Sequence, residues 1–252
     1  MDAAHVALVA GAALAAGAVN AIAGGGSLLT FPALVVAGLP TVTASVTNTV
    51  ALCPGYLGAT WAQRRELEGQ GPRLALLVPL SAVGGIAGGL LLLHTSEKLF
   101  RIVVPFLILF AAVLLSAQDP IRKRLVARTS RSNSLGWAVP PVGLAAVYGG
   151  YFGAGVGIMM MAVLELHVRD DLQRLNALKG ALSLAIGVAA GIFFVVFAPI
   201  AWGAAATMAV ASLLGGHFGV RIARRLSVRA LRAAVIAFGL AAAAYLFMRI
   251  GS

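Results

Sequence analysis

Apolar runs long enough to cross about 30 Å of hydrocarbon recur along the whole chain, separated by short polar breaks. Their pattern predicts helices over residues 5–23, 27–38, 41–61, 74–93 and 99–117 in the first half. In the second half it predicts helices over 135–152, 156–167, 175–199, 201–221 and 228–248. The polar stretch AQRRELEGQGPR follows the third helix, and QDPIRKRLVARTSRSNS forms the one long polar linker. One interruption falls inside apolar surroundings. The stretch NAIAGGGSLLTFPAL, residues 20–34, sets Gly24, Gly25 and Gly26 just ahead of a short helix containing Pro32. Glycine takes backbone angles closed to other residues, so the chain breaks there. A plain membrane anchor has no use for such a break.

The two halves repeat this order: a first helix, a glycine break, a short helix, a helix dotted with polar residues, and two plain ones. AGGGSLL has a counterpart in FGAGVGIMM, residues 152–160, and VGGIAGG, residues 83–89, matches LGGHFGV, residues 214–220. The offset of the second match also sets Lys98 on Arg229 and Arg101 on Arg232. The fold class that follows is an all-α polytopic membrane protein of two inverted repeats. Each repeat has a Gly-broken short-helix hairpin plus three transmembrane helices, for about 8–10 membrane segments. Residues 1–117 form the first repeat, 118–135 a basic cytoplasmic linker and 136–252 the second repeat.

Composition supports the membrane assignment. Of 252 residues 60% are hydrophobic and 11% charged, against roughly a quarter charged in soluble domains. The excess of 19 Lys+Arg over 8 Asp+Glu fits cytoplasmic loops better than nucleic acid. Arg122, Lys123, Arg124, Arg128 and Arg131 put the linker inside. Arg221, Arg224, Arg225, Arg229 and Arg232 do the same for the last turn, and Arg64, Arg65 and Arg73 agree. Lys98 and Arg101 fall outside, against the trend. Each half then crosses an odd number of times, which inverts the halves relative to each other and leaves both termini outside. MDAAHVALVAGAALAAG carries no basic region before its apolar run, so a cleaved signal is not expected. The single Cys53 forms no internal disulfide. No HExxH, GxSxG or Walker pattern occurs, so neither an enzyme nor direct use of ATP is expected, and no cofactor or metal.

Irregular backbone at membrane depth is tolerated where protein or a polar cavity satisfies it, and paired interruptions in two repeats point to a transporter's binding site. Gly24, Gly25, Gly26 and Ser27 precede one short helix; Gly153, Gly155 and Gly157 stand in the same way at the start of the other, from the opposite side. Free amides and positive helix ends there suit an anion. Close helix packing is the plainer role for such glycines. Asn20, Thr43, Thr47 and Asn48 add polar groups in the first half. In the second, Asn176, Lys179 and Ser183 share one helix face. Lys179 either serves the site or snorkels to the surface beside Arg169 and Arg174. Asp170 and Asp171 read as a solvated cap, and His217 as a candidate for proton coupling or a packed histidine.

These motifs resemble a known family. GAVNAIAGGGSLLTFPALVVAGLP followed by ASVTNTVALCPG is similar to the first repeat of the sulfite exporter TauE/SafE family of membrane permeases. YGGYFGAGVGIMMMAVLEL followed by RLNALKGALSLAIGVAAGIFFVVFAPIAW is similar to its second repeat. The resemblance implies movement of small sulfur-containing anions, such as sulfite and organosulfonates, across the bacterial inner membrane. It points to Gly24, Gly25, Gly26, Thr47 and Asn48, and to Gly153, Gly155, Asn176 and Lys179. Where it implies a further polar residue after the lysine, this chain has Ser183 and the apolar run IGVAAG. The expected partners are a small anion and the lipid bilayer, with no nucleic acid; a homo-oligomer stays open. The expected mechanism is alternating access, one half rocking against the other. An anion channel, a carrier of another anion such as a carboxylate, and a membrane assembly subunit stay open as alternatives.

Overall fold

The computed structural model describes residues 2–22, 25–128, 135–223 and 228–250. The first half comprises α1 (Ala3–Ile22), α2 (Ser27–Val36), α3 (Thr41–Ala62), a 3-10 turn (Arg64–Leu67), α4 (Gly71–His94) and α5 (Glu97–Arg128). The second comprises α6 (Leu135–Tyr151), α7 (Val156–His167), α8 (Leu172–Phe197), α9 (Trp202–Ala223) and α10 (Val228–Ile250). No strand occurs among the described residues. Ala3–Asn20, Gly71–His94, Glu97–Ala117 and Leu172–Phe197 are long and apolar enough to cross a membrane. Large apolar side chains such as Trp61, Trp137, Leu144 and Phe197 face outward, as lipid contact requires. The short helices α2 and α7 have 10 and 12 residues. At about 1.5 Å per residue, each reaches roughly half of a ~30 Å hydrocarbon layer.

One boundary differs from the pattern. The apolar run ends at Ala117, yet α5 continues to Arg128 through most of the predicted linker. Gln, Arg, Lys, Leu and Ala in that stretch are good helix formers, and a helix leaving the membrane satisfies its backbone without an apolar face.

Helix pairing exchanges partners between the halves. α1 packs on α9, and α4 packs on α6; α3 packs on α9, and α4 on α8. α3 and α8 pair with each other, as do α5 and α10. Small residues bring the first two crossings into backbone contact. A Cβ on Gly17 would lie 2.2 Å from the Ser212 carbonyl oxygen, and one on Gly215 2.0 Å from that of Leu14. A Cβ on Gly88 would lie 2.0 Å from the Val147 carbonyl oxygen. Gly88 of VGGIAGG and Gly215 of LGGHFGV therefore lie on crossing surfaces, where close backbone approach replaces side-chain packing.

α3 and α8 run antiparallel. At the end of α3, Gln63 Oε1 accepts from Asn176 Nδ2 near the start of α8, 2.7 Å away. Near the start of α3, Thr47 Oγ1 accepts from the Ala201 N–H beyond the end of α8, at 3.1 Å. Phe31 of α2 meets Phe152 of the second break edge to face, with ring centroids 5.2 Å apart.

A polar cluster ties the α3–α4 connection to the α7–α8 turn. Arg73 pairs with Asp170, and Arg174 Nε lies 2.9 Å from the other Asp170 oxygen. Gln70 Nε2 donates to the Arg174 carbonyl (3.0 Å), and Arg174 Nη2 donates to that of Glu68 (3.0 Å). Asp171 caps α8 by accepting from the Gln173 N–H, as its reading as a cap anticipates, but Asp170 is bound by arginines rather than solvated. Partial burial raises the Asp170 carboxyl, yet hydrogen bonds from Arg73, the Asp171 N–H and Arg174 outweigh it and hold the group below its ordinary range. A depressed carboxyl contributes stability above its ordinary value of 3.8, lost as pH falls through the lower folded value. Asp170→Asn should therefore lower the melting temperature at pH 7, by about 1–3 kcal/mol of stability. In melting curves, its deficit against the parent should be constant from about pH 7 to 5, begin to shrink near pH 4, and vanish only below the lowered folded value.

Candidate functional site

The polar face of α3 and that of α8 meet between the two glycine breaks. Along α3 and its C-terminal cap, Asn48, Leu52, Tyr56, Ala59 and Gln63 recur every three or four residues; on α8, Asn176, Lys179, Ser183 and Ile186 do so. Residues at this spacing share one face of a helix. Two adjoining cavities lie there. The first, of about 30 Å³, is bordered by Asn20, Gly25, Gln63, Asn176 and Lys179. The second, of about 20 Å³, is bordered by Ser27, Asn48, Thr49 and Phe152. Tyr56, Gly153, Val156 and Ser183 line both.

The breaks open these cavities through backbone conformation. Gly25 has φ +93° and Gly153 φ +77°, the left-handed region that disfavours any residue with a Cβ. Both glycines thus leave their helices at the cavity wall, one from each half.

Lys179 gives the site its charge. It is only 8% exposed, so it does not snorkel. Its Nζ donates to Asn176 Oδ1 at 2.7 Å, and Asn176 in turn donates to Gln63. Among the described residues no carboxylate pairs with it. A buried cation without a counter-ion costs several kcal/mol. An ammonium carries three donors, so charge and donors remain for a ligand. Ser183 adds a buried hydroxyl that lacks a hydrogen-bond partner.

The remaining sequence candidates divide. Ser27 and Asn48 border the second cavity, and Asn48 Oδ1 accepts from Thr30 Oγ1. Gly26 instead closes the hairpin: its N–H donates to Asn20 Oδ1 at 2.8 Å, and a Cβ there would lie 2.5 Å from the Ala16 carbonyl. Thr47 borders neither cavity and spends its hydroxyl on Ala201. Gly155, at φ +79°, begins α7 and packs on Ala111, where a Cβ would sit 3.3 Å away. Gly24 lies outside the described residues, as does the side chain of His217, whose backbone belongs to α9. Sequence reasoning passed over Tyr56 and Gln63. The stripe from Asn48 through Leu52, Tyr56 and Ala59 would have led to both, but Gln63 reads as the start of a polar loop.

Comparison with known proteins decides the family. Residues 9–246 match the family model described as sulfite exporter TauE/SafE. The chain belongs to that family. It is 26% identical over 211 residues to the probable membrane transporter protein YfcA of Escherichia coli (strain K12), covering 83% of this chain and 77% of that one. It is 25% identical over 232 residues to the probable membrane transporter protein ORF9 of Sinorhizobium sp, covering 92% of this chain and 88% of the relative. A probable membrane transporter protein of Haemophilus influenzae (strain ATCC 51907 / DSM 11121 / KW20 / Rd) is 26% identical over 208 residues, 81% of this chain and 79% of its own. No solved structure matches the chain. As a TauE/SafE protein with several membrane-length helices, it is a multi-pass membrane transporter.

Proposed function

We propose that this TauE/SafE protein carries a small sulfur-containing oxyanion, sulfite or an organosulfonate, across the bacterial inner membrane by alternating access. One observation carries the reading: the buried ammonium of Lys179, without a carboxylate among the described residues, faces a cavity between two glycine breaks. Asn176 orients it, Gly25 and Gly153 supply turned backbone, and Asn48 with Ser27 lines the far end.

The antiparallel course of α3 and α8, helices at matching places in the two halves, supports inverted repeats. Arg64, Arg65, Arg73, Arg169 and Arg174 gather at the end where α3 finishes and α8 begins. The positive-inside tendency makes that end cytoplasmic and both termini external. Cavities of about 30 and 20 Å³ hold only one or two waters each. A ligand therefore enters after α3 and α8 part. Because α9 is bound to α1 and α3, and α4 to α6 and α8, the rocking bodies mix helices of both halves. The proposed motion thus divides the molecule by packing, where the sequence suggested a division by halves. An anion leaving a negative-inside cell gains about 2.3 kcal/mol per charge per 100 mV, so export needs no ATP.

Reconstituted vesicles provide the test. Labelled sulfite or methanesulfonate uptake should saturate and should be accelerated by unlabelled anion inside. Flux that rises linearly with concentration, without counterflow, would make the protein a channel; no flux of either anion would remove the proposed substrate class.

A further inference from the structure

The two cavities differ in what they offer a ligand. The first holds Lys179, the sole residue of fixed charge among the described residues lining either cavity. The second presents only neutral polar groups, the side chains of Ser27, Asn48, Thr49 and the shared Tyr56, beside apolar Leu52, Phe152 and Ile186. Ser183 belongs to both, and its buried hydroxyl is unpartnered. Resting on the anion-transport reading above, we infer that the preferred ligand is a one-headed organic monoanion. Its charged head sits at Lys179, and a short uncharged body extends past Ser183 toward Asn48.

Charge and hydrogen-bond satisfaction both favour such a ligand. One ammonium compensates one negative charge; the second charge of a dianion would lie in a cavity that supplies no cation. Burying an unpaired charge costs several kcal/mol, far more than neutral hydrogen bonds return. A compact inorganic anion avoids that cost but does not reach the Asn48 amide nitrogen, whose carboxamide oxygen alone is engaged, by Thr30, and a donor left unpaired there is unfavourable once the site closes. A short body ending in a hydroxyl fills that end and pairs with it. Apolar Leu52 and Ile186 beside the polar groups suit the methylenes of such a body.

Thermal-shift titrations of the purified wild-type protein test this, using sodium salts at matched ionic strength. The probes are methanesulfonate, 2-hydroxyethanesulfonate, sulfoacetate and sulfate. 2-Hydroxyethanesulfonate should bind most tightly, and sulfoacetate, of similar length with a second charge, at least about tenfold more weakly. Sulfate should be as weak as sulfoacetate. A dianion that binds as tightly as 2-hydroxyethanesulfonate would overturn the inference and leave anion transport standing. So would equal binding of methanesulfonate and 2-hydroxyethanesulfonate. If none of the four raises the melting temperature, the anion site itself is lost, and the transport reading falls with it.

Discussion

Lys179→Ala protein is expected to fold, insert and melt at or slightly above the parent's temperature, yet to bind sulfonate at least about 100-fold more weakly. The two halves of this expectation have one cause. In the empty protein the ammonium is buried with one hydrogen bond, to Asn176, and no carboxylate among the described residues. Removing it relieves a desolvation penalty, so stability should not suffer. In the bound protein the same group is the anion's sole fixed counter-charge, so removing it strands the ligand. Melting curves with and without methanesulfonate read both effects together. Full retention of the ligand-induced shift would take Lys179 out of the site. Lys179→Arg, which keeps the charge but replaces a point donor by a planar fork, should recover part of the binding.

The second large effect belongs to the helix crossings. Gly88→Ala places a methyl 2.0 Å from the Val147 carbonyl oxygen and 2.7 Å from the Tyr151 nitrogen. Both are backbone atoms of α6, so no flexible side chain can give way and the whole helix must move. Overpacking of this kind costs about 3 kcal/mol or more, a drop in melting temperature on the order of 10 °C. Gly203→Ala is the control. A Cβ there meets nothing within 4 Å, and alanine favours the helix by up to about 1 kcal/mol. It should leave the melting temperature unchanged or raise it slightly. Equal behaviour of the two variants in a thermal melt would show that the α4–α6 contact is looser than described.

The sequence disclosed the order of elements because each depends on local chemistry. Gly25 and Gly153 stand in glycine clusters that interrupt the apolar pattern, and apolar runs mark their own extent, so both short helices are found where the pattern puts them. Lys179 was legible as a candidate, since a cation within an apolar helix demands a reason. Its burial was not, because snorkelling differs from burial only in the path of one flexible side chain. Partners distant in sequence were hidden altogether. Nothing near Asp170 announces Arg73, and nothing near Thr47 announces Ala201. The glycines divided for a related reason: Gly25 lines the cavity, whereas Gly26, its neighbour, is consumed by Asn20. Local pattern proposes the set, and three-dimensional partners select from it.

The exchange of helices between halves also constrains how the protein is made. α1 is synthesised well before α9, yet it makes close backbone contact with it, beyond residue 201. At about 5–20 residues per second, roughly 10–40 s separate the two. Throughout that interval the groove around Gly17 faces lipid or the insertion machinery rather than its partner. Truncated chains ending before α9 should therefore remain substrates for quality-control proteolysis, however well their first five helices have inserted.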